Sequence, residues 1–181
     1  MELNKKQSKI LSYILSTAKL KPEADIAKYD FDNNFSYRAA TSSFVNKDDL
    51  IYGVFTLPKE NDHVFICVTN GDPFQIGGVL CGLENYLDTK EMLCIGDTVP
   101  IVNDYINNAG WKSALLLRVP TILEEFPDSH KFENGYKVYF YLVIFIDSEE
   151  LEIKKNHGLD ALMEVFENNN RDIITFAQKG G

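Results

Sequence analysis

The sequence predicts an α+β fold, one domain in which a mixed β-sheet is flanked by helices. Three observations carry this. Residues 138–146 are apolar on both faces of a strand, which places them mid-sheet under cover on both sides. Two stretches, one near the start and one near the middle, space their apolar residues as helices do. The elements run helix, strands, helix, strands, helices, strand, without the strict alternation of a doubly wound fold. The 181 residues, 45% hydrophobic and 12% aromatic, suffice for a core and argue against disorder.

Ile10, Leu11, Ile14, Leu15 and Ala18 predict an amphipathic helix over residues 5–19, stopped by Pro22. Residues 29–48 carry Tyr29, Phe31, Phe35, Tyr37 and Phe44 at irregular spacing, which suits a strand or a long loop equally. Residues 50–57 and 64–68 are rich in β-branched and aromatic residues and flank a five-residue turn, a hairpin pattern. Asn70-Gly71-Asp72-Pro73 breaks the chain, and Val79, Leu80, Leu83, Tyr86 and Leu87 form a second helical stripe ending before Thr89. Gly77, Gly78 and Gly82 in that stripe read as close-packing positions.

Residues 92–95 lead into the turn Gly96-Asp97, and residues 99–102 read as a short strand. Residues 114–119 form another, stopped at Pro120. After residues 138–146, Asp147-Ser148-Glu149-Glu150 forms a capping-box start, with Gly158 as a left-handed stop. Leu159, Leu162, Met163 and Phe166 begin a last helix, and residues 172–176 a closing strand.

Composition narrows the function. No apolar run reaches the roughly 18–20 residues that cross a bilayer, and no signal-peptide cleavage site follows the basic start, so the expected location is the cytoplasm. Cys67, Cys81 and Cys94 are odd in number and form no CxxC pair, as expected of free thiols in a reducing compartment. Net charge is -9 and uneven. Residues 1–21 hold five lysines against Glu2, whereas residues 22–181 carry 13 basic and 26 acidic groups, a net of -13. That sign disfavours nucleic acid and favours a basic protein partner, although solubility alone accounts for it as well.

No nucleophile elbow, P-loop, HExxH or dinucleotide fingerprint is present. His63 and Cys67 share a strand face but supply two of the four ligands a structural zinc site needs. No metal, cofactor or catalytic residue is expected. Glu124-Glu125 and Glu149-Glu150 are adjacent pairs whose carboxylates point apart, which suits partner-facing or helix-start charge better than acid–base catalysis. Trp111, the one tryptophan, reads either as core or as an interface anchor.

The helix over residues 78–87, the run from Thr89 through Met92, Cys94, Gly96, Asp97 and Val99, the strand 114–119, and the block 139–145 with Asp147, Glu149, Glu150, Gly158, Leu159, Leu162 and Phe166 follow one another in a familiar order. With residues 171–176 as a closing strand, this stretch, about 62–178, resembles the suppressor-of-fused family in its bacterial form. The resemblance implies a non-catalytic protein-binding role. The animal member restrains a transcription factor, and bacterial relatives are inferred to be immunity proteins that neutralise polymorphic toxins. This chain has one lobe, so a peptide clamp between two lobes does not transfer.

The expectation is therefore an immunity-like or regulatory module that binds a partner such as a basic toxin domain. Trp111, Glu124, Glu125, Glu149 and Glu150 are the candidate partner-binding residues, and Gly96, Asp97 and Gly158 are family-motif positions. The alternatives are a small enzyme with a site around Asp97, His63 and neighbouring carboxylates, and a homodimeric structural protein.

Overall fold

A computed structural model describes residues 2–47, 50–90 and 92–176. Asp48, Glu91 and residues 177–178, which belong to segments considered above, lie outside the described residues. The chain runs α1 (Lys5–Thr17), β1 (Asp25–Asp30), β2 (Ser36–Ser43), β3 (Tyr52–Thr56), β4 (His63–Thr69), α2 (Pro73–Thr89), β5 (Thr98–Pro100), α3 (Asp104–Asn108), β6 (Ser113–Leu117), β7 (Ser129–Lys131), β8 (Lys137–Ile146), α4 (Ser148–His157) and α5 (Leu159–Asn168).

One eight-stranded sheet has the order β1-β2-β3-β4-β8-β6-β5, with β7 paired to β8. All pairings are antiparallel except the central β4–β8 contact, which makes the sheet mixed. Strand β8 is apolar on both faces because each face meets its own core. Val138, Phe140, Leu142, Ile144 and Ile146 join the core containing Ile10 and Ile14 of α1 and Leu162 and Phe166 of α5. Val143 and Phe145 join the core beneath α2 and α3, with Ile76, Leu80 and Ile106. Strand β4 alternates in the same way, Val64, Ile66 and Val68 to one core, Phe65 and Cys67 to the other.

Local sequence fixes the helix ends. Asn4 and Gln7 form a capping box on α1, and Asp147 and Glu150 form one on α4. Asp72 caps α2 ahead of Pro73, which sits at the first helical position where its missing N–H costs nothing. Gly96 and Gly158 take φ of +91° and +92°, a region costly for any residue with a Cβ.

One open reading resolves and one expectation changes. Of residues 29–48, whose spacing suits strand or loop equally, 29–30 end β1 and 36–43 form β2, with a turn between them. Residues 172–176, expected as a closing strand, are not one. Asp172 Oδ1 instead accepts from the backbone N–H groups of Ile174 and Thr175, turning the chain away from a ladder. The segment still docks, with Phe176 stacked 4.9 Å from Tyr105 and edge-on to Phe145.

Candidate functional site

The two ends of the sheet flank one face of α2. Strand β1 closes one end and β5 the other, and Lys28–Phe31 of the first and Val99–Asn103 of the second line one groove of about 710 Å³ across that helix. This volume lies within the usual range of ligand pockets. Its floor is the stripe Gln75, Gly78, Val79, Gly82, Leu83 and Tyr86, positions that a helical period puts on one face. Phe74 and Val102 stand at the rim, 59% and 97% exposed.

The glycines shape the groove in two ways. A Cβ on Gly77 would lie 2.5 Å from the Tyr29 hydroxyl, so this position lets β1 approach the helix. Tyr29 donates to the Phe74 carbonyl at 2.7 Å and its ring lies 5.2 Å from the Phe74 ring, fixing the wall to the floor. Burial, with smaller contributions from Cys81 and Asp72, pushes the Tyr29 phenol above its usual range, so it remains a donor. Gly82 differs: nothing lies within 4 Å of where its Cβ would be, and its missing side chain deepens the groove.

Strand β1 also offers backbone. The Phe31 N–H donates to the Phe35 carbonyl, and in the antiparallel register Tyr29 and Ala27 face β2 likewise. The N–H and C=O groups of Ile26, Lys28 and Asp30 therefore point to the open side. Among the described residues no strand pairs with this side, and an unpaired edge is a template for an added strand.

The sequence-derived site residues divide. Trp111 is 4% exposed and packed in the core beneath α2 and α3. Glu150 is 5% exposed, bonded to the Asp147 N–H and to Arg171. Burial leaves neither side chain a surface for a partner to meet. Glu124, Glu125 and Glu149 are exposed. Asp97 holds its turn, its carboxylate accepting from the Cys94 N–H at 2.8 Å. His63 stacks on Tyr141 at 5.1 Å, its Nδ1 buried without a partner among the described residues, and burial lowers its pKa. The buried Cys67 thiol is pushed up to about 12, far from a thiolate nucleophile. Among the described residues no group of three or more His, Cys, Asp or Glu is arranged for a metal ion. None of their helices is long and apolar enough to cross a membrane.

Sequence reasoning missed the groove. The signal available was the glycine spacing on the second helical stripe, where Gly78 and Gly82 fall one turn apart, but it reads equally as tight packing.

Comparison with the curated proteins finds none that matches. Among solved structures, a suppressor-of-fused homologue from Neisseria gonorrhoeae FA 1090 aligns with a TM-score of 0.70 at 14% identity, covering 94% of this chain and 93% of that one. A chain of the Sufu–Fu complex aligns with a TM-score of 0.54 at 10% identity, covering 96% and 91%. Both share the fold described above. The family model of the suppressor of fused protein matches residues 54–177, from β3 to beyond α5. That span takes in the central strands, α2 and both C-terminal helices, and the chain belongs to the suppressor of fused (SUFU) protein family.

Proposed function

We propose that this chain is a protein-interaction module that takes an extended segment of a partner in the groove over α2, and that it acts as an immunity-like or regulatory protein. The observation that carries this reading is the convergence of the free β1 edge with the open floor at Gly82. A segment paired to Ile26, Lys28 and Asp30 would send alternate side chains onto the floor, where an apolar residue fits above Gly82. The complex of Sufu with Fu among the proteins sharing the fold is consistent with protein binding.

In this reading the partner is basic, a cationic toxin domain being the model case, and it is met in the cytoplasm without catalysis. A net of -13 over residues 22–181 supports that choice, because complementary charge speeds encounter and sharpens partner selection. Glu124, Glu125 and Glu149 then act as steering charges outside the groove.

The test is peptide selection. A random library displayed on phage is panned on the protein and counter-selected on Gly82→Leu, which fills the floor. The reading expects peptides with alternating apolar residues and net positive charge that bind the parent at least tenfold tighter than the variant. Peptides that bind both proteins equally would show that the groove is not the interface.

A further inference from the structure

A second cavity, of about 430 Å³, lies at the end of the sheet where β2 begins and the β3–β4 turn meets the last turns of α2. Its lining carries Lys28, Arg38 and Lys59 against Glu60, Glu84 and Asp88. A cavity with both signs on its walls suits a molecule that is itself dipolar.

Glu84 singles out this cavity. It is 2% exposed, its Oε2 accepts from Asn61 Nδ2 at 2.9 Å, and its Oε1 is buried with no partner among the described residues. Arg38, on another wall, keeps its Nε buried and equally unpartnered. An unmatched buried polar atom costs about 1–3 kcal/mol, and Glu84 and Arg38, which each carry one, both line this cavity. The rest of the wall is already ordered. Tyr37 Oη lies 3.0 Å from Asp88 Oδ2 and 3.1 Å from Asn85 Oδ1, and Lys6 donates to the Asn61 carbonyl at 2.6 Å.

We propose that this cavity binds a small zwitterion of the amino-acid class, its ammonium group toward Glu84 and Asp88 and its carboxylate toward Arg38. The ligand supplies the donor that Glu84 lacks and the acceptor that Arg38 lacks. Burial holds the Glu84 carboxyl protonated to about pH 8, with Asp88 adding to the effect and Asn61 and Lys6 opposing it. Cys81 and Tyr37 also face it. An arriving ammonium group therefore displaces a proton, and affinity rises with pH up to about 8. Lys28 lines both this cavity and the groove over α2, but none of the contacts assigned to the ligand uses it.

Isothermal titration calorimetry with linear ω-amino acids, from glycine to 6-aminohexanoate, tests this against the amine and the carboxylic acid of matching length. One chain length is expected to bind one-to-one, at least tenfold tighter than either single-charge analogue. Its binding should release a proton at pH 7 and weaken at least tenfold in Glu84→Gln and in Arg38→Gln. The inference is overturned if no length binds at millimolar concentration, if amine or acid binds as tightly, or if Glu84→Gln binds unchanged. Should a variant fail to fold, the comparison of ligands on the unaltered protein still decides.

Discussion

Arg171 and Glu150 form a bonded pair at the C-terminal edge of the molecule, Nε to Oε2 at 2.8 Å, with 13% and 6% of their side chains exposed. The guanidinium also donates to the Phe145 carbonyl at 2.7 Å and lies 4.7 Å from the centre of the Trp111 ring. One side chain thus ties the segment after α5 to β8, to the cap of α4 and to the tryptophan. Removing one member of a buried pair strands the other charge, at about 3–5 kcal/mol. Arg171→Met should show that loss in urea unfolding, and adding Glu150→Gln should recover part of it, because the amide oxygen still accepts from Asp147.

Gly77 and Gly82 sit on the same helix with opposite surroundings. Gly77→Ala should destabilise by about 1–3 kcal/mol, since Tyr29 must move and its bond to Phe74 must lengthen. Gly82→Ala meets open space and should stabilise by about 0.5–1 kcal/mol through helix propensity. Thermal melts of the two variants check the contrast.

How much of this was legible in the sequence depended on how local each signal was. Strand β8 and helix α1 announced themselves because one run of residues contains the whole pattern, as did the hairpin of β3 and β4. Strands β1 and β2 did not. Lys28, Asp30 and Arg38 interrupt their alternation, which a half-exposed sheet end tolerates. Glu150 read correctly as the capping acid of α4. Its candidacy as a partner-binding residue missed its burial, because Arg171, which pairs with it, lies 21 residues further on. The groove was invisible for the same reason, since its two walls lie about 70 residues apart in the chain and only the sheet brings them together.

Glu84 makes stability pH-dependent. Its folded pKa of about 8 lies above the ordinary 4.5, so the folded state holds a proton that the unfolded chain gives up. This contribution is complete below about pH 4.5 and is lost as pH rises to about 8, by up to about 1.4 kcal/mol per unit. Glu84→Gln should flatten the slope of stability against pH between 5 and 8, a window taken from those two pKa values. A variant that keeps the full slope would assign it to other groups.

Charge reversal at the exposed Glu124, Glu125 and Glu149 should slow association with a basic peptide or partner domain while leaving dissociation nearly unchanged. The effect should fade as salt rises, because the Debye length falls from about 10 Å at 0.1 M to about 3 Å at 1 M. Stopped-flow association at two salt concentrations reads both. A rate indifferent to salt and to the reversal would remove electrostatic steering from the account without touching the groove.

The most direct measurement of the central claim is hydrogen exchange at the free edge of β1, followed residue by residue by NMR with and without a peptide selected on the groove. The amides of Ile26, Lys28 and Asp30 point away from β2, so the account predicts that they exchange rapidly in the free protein and become protected in the complex. Those of Ala27 and Tyr29, facing β2, should change little. Protection confined to other surfaces, with Ile26, Lys28 and Asp30 exchanging as before, would contradict strand addition at this edge and the protein-binding role assigned to the groove.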